Sequence, residues 1–152
     1  ELPMKFVFKS ICFYLALVVV AMSLFLPAVA QEKTALQKER TAKMKILARS
    51  MFQLKNAPDV ASMKAPATVI AATSRKLANM WPEGSGGTST RAKLEIWAKM
   101  GDFKAKLMDM QNAADELVSA TGVADLGVAK SAFSGVGRAC AACHKVYRRP
   151  KV

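Results

Sequence analysis

Apolar residues recur at helical spacing in four stretches of this chain, and nowhere do they alternate as a half-buried strand would. The first stretch runs from about Glu32 to Lys55. Leu36, Arg40, Met44, Leu47, Met51 and Leu54 fall there at intervals of three and four and make one face. Asn56-Ala57-Pro58-Asp59 breaks it. The second stretch ends near Met80, with Ile70, Leu77 and Trp81 expected inward. Its start is set by Pro66, which is tolerated in a first turn but clashes in a helix interior, so either a clean start near Ser62 or a kink at Pro66 is expected. Pro82-Glu83-Gly84-Ser85-Gly86-Gly87 is the strongest loop signal. A third helix is expected from about Thr90 to Ala120, with Ile96, Met100, Phe103, Leu107, Met110, Ala114 and Leu117 on one face. A fourth is expected from about Asp125, carrying Ala129, Ala132, Phe133, Val136, Cys140, Cys143 and Tyr147. Helices of this length on short connections predict an all-α protein, an antiparallel four-helix bundle whose inward-facing side chains can build a cofactor site.

The segment before these helices has a different character. Lys5 and Lys9 precede an apolar run from Ile11 to Leu26 that closes with Pro27-Ala28-Val29-Ala30. Basic, apolar and small residues in that order read as a secretory leader over residues 1–30, with translation starting at Met4 and cleavage after Ala30. An uncleaved anchor is the competing reading, since about 20 apolar residues can span a bilayer. The mature domain is then residues 31–152, exported and, in a bacterium, periplasmic.

Charge and cysteines sharpen the picture. The net charge of +12 falls almost wholly on the mature domain. Such a charge favours acidic partners or an anionic surface, and a solvated basic surface explains it as well. Nucleic acid is not an expected partner for an exported chain, and a membrane is met only during export. Cys12 leaves with the leader, so Cys140 and Cys143 remain. A disulfide across two residues would stabilise little, because the stabilisation grows with the loop it closes.

Those two cysteines stand in Cys140-Ala141-Ala142-Cys143-His144, and His144 is the only histidine of the chain. C-x-x-C-H is the attachment signature of c-type haem: the thiols add across the vinyl groups, and the imidazole that follows is placed to ligate iron. A thioredoxin-like redox pair needs the motif at a helix start after a strand, and here it falls late in the last helix. A structural zinc site needs four ligands, and the motif supplies three.

An all-helical domain with C-x-x-C-H at its C-terminus resembles the class II c-type cytochromes, the cytochrome c′ family. The resemblance covers residues 31–152. It includes the Pro82–Gly87 loop, Glu95-Ile96-Trp97, and the run of Phe133, Val136, Gly137, Cys140, Cys143, His144, Tyr147 and Arg148. Pro66 departs from the family's smoother second helix. The resemblance implies a four-helix bundle enclosing one haem c, covalently attached through Cys140 and Cys143, with His144 as proximal ligand. It assigns Arg40 to a haem propionate, which a guanidinium fork suits. Arg91 and Lys93, where helix three is entered, match positions that can flank the propionates, and Arg148 matches a basic residue near the proximal histidine.

The position opposite His144 divides the family. An apolar side chain there leaves iron five-coordinate and open to small gases; a methionine from helix one fills it in the low-spin branch. Met44 stands at that position, on the same face as Arg40. A thioether is a soft ligand that suits haem iron and raises its potential, although methionine is also a common core filler. The expectation is a periplasmic electron carrier with His144 and Met44 on iron, working with redox proteins. The alternatives are a five-coordinate cytochrome c′ that binds nitric oxide or carbon monoxide, and a haem-free metal-binding or thiol-redox protein. No carboxylate dyad or nucleophile–base pair stands out, so an enzyme is not expected. Family members include dimers joined through helix one, so a homodimer is a further possibility.

Overall fold

The computed structural model describes residues 33–151. The expected leader over 1–30, its cleavage after Ala30 and Cys12 lie outside the described residues. Helix α1 (Ala35–Lys55) begins at a capping box: the Gln37 backbone N–H donates to Thr34 Oγ1 (3.3 Å), and the Thr34 N–H donates to Gln37 Oε1 (3.0 Å). Helix α2 (Val60–Ala78) begins at Asp59, whose carboxylate accepts the Ser62 N–H at 2.8 Å. The four residues between α1 and α2 leave room only for an antiparallel turn.

Helix α2 starts two residues before the clean start proposed from sequence and runs through Pro66. Pro66 can donate no N–H to the Ser62 carbonyl. It is the seventh residue of the helix, past the first turn, so α2 runs on with one backbone bond missing, and the Pro66 ring is buried in the core.

The third expected helix is divided. A four-residue helix α3 (Glu95–Ala98) is followed by a break at Lys99, and α4 (Met100–Ala120) continues the bundle. The residues from Thr90 to Leu94 are not helical, because the backbone there is paired elsewhere. The Lys93 N–H donates to the Tyr147 carbonyl (3.0 Å), the Arg149 N–H donates to the Arg91 carbonyl (2.8 Å), and Ala92 and Arg148 form an antiparallel bridge. Helix α5 (Leu126–Tyr147) is the fourth expected helix, capped where the sequence placed its start: Asp125 Oδ1 accepts from the N–H groups of Gly127 (2.7 Å) and Val128 (3.1 Å).

The long helices pack in order, α1 on α2, α2 on α4, and α4 on α5. Leu54, Met63, Ile70, Leu77, Ile96, Leu117 and Val136 are all less than 2% exposed in the shared core. Burying each such side chain contributes about 1.5–3 kcal/mol before chain entropy is subtracted. Most inward residues of α2 and α4 are buried. On the facing sides of α1 and α5, Leu36, Met44, Met51, Phe133, Cys140 and Cys143 are only half-buried.

Candidate cofactor site

The last turns of α5 carry the motif. Helical spacing puts Cys140, Cys143 and His144 on neighbouring positions of one face, at three and four residues. Both cysteines are free thiols and half-buried. Burial pushes the Cys140 thiol above its usual range, and burial with the neighbouring Cys140 pushes Cys143 up to about 11. These are therefore neutral thiols. His144 is shifted the other way, by burial first and then by the positive charges of Arg148 and Arg91. A neutral imidazole keeps a lone pair free for a metal. The motif closes a helix instead of opening one after a strand. Among the described residues no group of three or more His, Cys, Asp or Glu side chains is placed to hold a bare metal ion.

Helix α1 faces this motif across the bundle. A Cβ on Gly137 would stand 3.9 Å from Cε of Met51, which fixes one point of contact between α1 and α5. Seven residues back along α1 from Met51 is Met44, and seven residues on along α5 from Gly137 is His144. Each step is about 10.5 Å, and in an antiparallel pair both run the same way. That spacing allows Met44 and His144 similar heights along the bundle.

One turn before Met44, Arg40 is only 4% exposed. Its Nη1 donates to the Met80 carbonyl (3.1 Å) and to Ser85 Oγ (2.9 Å), and its Nη2 to the Ser85 carbonyl. The guanidinium lies 4.5 Å from the ring centre of Trp81 and 6.0 Å from that of Trp97. Burial lowers its pKa. Gln37, one turn earlier, donates to the Gly86 carbonyl at 2.6 Å and accepts from the Ser89 hydroxyl at 2.8 Å. Arg40 is thus a clamp on the 82–87 loop, a task the sequence did not disclose. The one available signal was a buried-face glutamine three residues before an arginine. The clamp leaves Nε–H and one Nη2 hydrogen of Arg40 unspent.

The other basic residues expected here gather at the end of α5. The Arg91 Nε donates to the Arg149 carbonyl at 2.8 Å, Lys93 is half-buried beside it, and Arg148 is exposed. Arg149, which sequence reasoning passed over, donates to the carbonyls of Gly87 (3.1 Å), Thr88 (3.3 Å) and Thr90. Tyr147 donates to the Asp102 carboxylate and packs edge-on against Phe103, whose ring centre is 5.2 Å away. That pair ties the end of α5 to the start of α4.

A haem fits these residues. The facing sides of α1 and α5 offer half-buried apolar side chains to a flat macrocycle, and the motif offers two thiols and a neutral imidazole. Trp81 Nε1, under Arg40, and Thr90 Oγ1, on the same loop, are buried without a hydrogen-bond partner. Spare donors of that kind suit the ring's carboxylates.

A sequence model described as Cytochrome C′ matches residues 28–148. The chain belongs to the cytochrome c′ family. Cytochromes of this family carry covalent haem c, and Cys140 and Cys143 stand in the C-x-x-C-H position that attaches it. The chain is 34% identical over 83 residues to a cytochrome c′ of Pararhodospirillum photometricum, covering 54% of this chain and 66% of that one. It is 33% identical over 93 residues to a cytochrome c-556 of Agrobacterium fabrum, covering 61% and 62%. The matches thus span a little under two thirds of these curated relatives. The crystal structure of cytochrome c′ from Thermochromatium tepidum superposes with a TM-score of 0.70 at 27% identity, over 80% of this chain and all of that one. The fold is accordingly the cytochrome c′ four-helix bundle, and the family comprises haem electron carriers and gas-binding proteins.

Proposed function

We propose that this cytochrome is exported to the periplasm and carries single electrons, with its iron held between His144 and Met44. The observation that supports the proposal is the approach of Met51 on α1 to Gly137 on α5, seven residues from Met44 and from His144 respectively in an antiparallel pair. Haem c supplies a one-electron iron couple when bound. Cys140 and Cys143 tether the ring, and the lowered pKa of His144 keeps its imidazole ready to ligate. Arg40 turns its unspent N–H groups to a propionate, while Arg91, Lys93 and Arg148 add positive charge where the α5 end is pinned to the 91–93 segment. Redox proteins, acidic ones first, are the expected partners. Among the described residues no helix is long and apolar enough to cross a membrane. Ile46 (42% exposed) and Phe52 (68%) leave apolar surface on α1 that a second copy could cover.

A second reading has its own support. Met44 is half-buried and packs on the core, as a space-filling side chain would, and a relative from Pararhodospirillum photometricum is a cytochrome c′ by name. If Met44 only packs, the iron is five-coordinate and binds nitric oxide or carbon monoxide. Absorption spectra of the haem-loaded protein separate the two. Met44 ligation gives a low-spin spectrum indifferent to carbon monoxide, and Met44→Ala converts it to a high-spin one that responds. A wild-type spectrum that is high-spin and shifts with carbon monoxide sinks the first reading. Absence of covalent haem sinks both.

A further inference from the structure

Positive charge is unevenly spread along the bundle. Antiparallel packing puts the start of α1, the 79–94 loop, the start of α4 and the end of α5 together at one end. At the other end Asp59, Glu116 and Asp125 offset Lys55, Lys64 and Lys130, and Asp115 is paired with Arg75. The motif's end has no such balance. Arg91, Lys93, Lys145, Arg148 and Lys151 crowd there, and none of them is ion-paired among the described residues. Asp102 is taken by Tyr147 and Lys106 and Glu39 by Lys43, which leaves Glu83 and Glu95 as the other acids of that end.

These cations are held in place by backbone. Arg149 N–H to the Arg91 carbonyl and Lys93 N–H to the Tyr147 carbonyl join two segments more than fifty residues apart, and the Arg149 guanidinium grips the 87–90 loop. The result is a fixed basic rim on the segments that flank His144. Leu94, 70% exposed, and Val146, 37% exposed, lie on the same segments. Isolated apolar points inside a charged rim suit a protein face, whereas insertion into a lipid surface asks for a continuous apolar stripe.

We propose that this end of the bundle is the docking surface for an acidic redox protein, with Lys145, Arg148 and Lys151 from one segment and Arg91 and Lys93 from the other meeting its carboxylates. It rests on the haem reading only in making the partner a redox protein. Rim charges of this kind govern encounter rate and salt dependence.

The test is calorimetric titration of the haem-loaded protein with an acidic flavodoxin at low ionic strength. Lys145→Glu with Lys151→Glu changes the rim, and Lys64→Glu with Lys130→Glu makes the same change in net charge at the far end. The rim pair should weaken binding by about ten-fold or more and the far pair by less than about two-fold, with the difference shrinking as salt shortens the Debye length. Equal losses from both pairs overturn the proposal, since net charge alone would then explain them. So does the absence of any wild-type binding. Vesicles of phosphatidylcholine with phosphatidylglycerol form the third arm: binding tighter than to flavodoxin, and lost in the rim pair, gives the surface to lipid and overturns the protein partner. The absorption spectrum of each sample is read separately. A chain without covalent haem refutes the haem reading, while the calorimetry still decides the charged surface.

Discussion

Replacing Arg40 with alanine tests how the 82–87 loop is held on the bundle. Arg40 makes three donated bonds, to the Met80 carbonyl and to both oxygens of Ser85, and stacks on Trp81. A bond from a charged donor contributes about 1.5–3 kcal/mol, and a cation over an aromatic face about 0.5–2 kcal/mol. Met80 is buried and its carbonyl stays dry when the guanidinium goes, whereas Ser85 is half-buried and can be rehydrated. The Ser85 hydroxyl also keeps its bond to the Pro82 carbonyl, and Gln37 still reaches Gly86. The low ends of both ranges, about 1.5 kcal/mol for each of three bonds and about 0.5 for the stack, total about 5 kcal/mol, and rehydration at Ser85 brings the loss for Arg40→Ala to about 3–4 kcal/mol. Domains of this size are stable by about 5–15 kcal/mol and respond to urea with slopes of about 1–3 kcal/mol per molar. The urea midpoint, followed by circular dichroism on the haem-loaded protein, should fall by about 1.5–2 M. Hydrogen exchange in residues 82–90 should quicken more than in α4. Arg40→Lys keeps the charge but cannot span Met80 and Ser85 at once, so it should recover less than half the loss. A midpoint within about 0.3 M of wild type would refute the clamp, because it would mean that the loop holds its place without the guanidinium.

Other substitutions address the same framework. Gly86→Ala brings its Cβ within 2.9 Å of the Trp97 ring, so the indole must shift off its bond to the Pro82 carbonyl; a loss of about 1–3 kcal/mol in urea denaturation is expected. Gly101→Ala meets nothing within 4 Å in the first turn of α4 and should stabilise by about 0.5–1 kcal/mol, read in the same assay. Asp125→Ala removes the cap of α5 and should cost about 1 kcal/mol. Burial and the bond to Asp102 raise Tyr147 to about 12, so the folded state holds a proton that the unfolded state releases from about pH 10. Its contribution is complete below pH 10 and is lost as pH rises through about 12; Tyr147→Phe should remove that alkaline loss, and equal slopes in the two proteins would argue against it.

What could be read from sequence here was what depends on neighbours in the chain. Cys140, Cys143 and His144 share a face because a helix brings residues three and four apart together, and Asp125 caps α5 through N–H groups two and three residues on. The break before α4 could not be read that way. Thr90 to Leu94 carries no glycine or proline to stop a helix, and what takes it out of helix is its pairing with Tyr147 and Arg149 at the far end of the chain. Arg40 shows the same division: its spacing from Met44 marked it as inward, while its hydrogen-bond partners, some forty residues on, depend on where the bundle brings the loop.

The same logic sets the worth of Met44. Its residue type decides nothing in a chain with nine methionines. Its expected level opposite His144 rests on the approach of the Met51 side chain to Gly137 and on the antiparallel run of α1 and α5. That makes the register a testable lever. Gly137→Leu would crowd the Met51 side chain in the gap between α1 and α5 without touching either proposed ligand. If Met44 ligates iron, the crowding should raise the high-spin fraction in proportion to the lost contact, and Met51→Ala in the same chain should return it toward wild type by restoring room. If Met44 only packs, neither change alters spin state, since the His144 side of the ring is built entirely on α5.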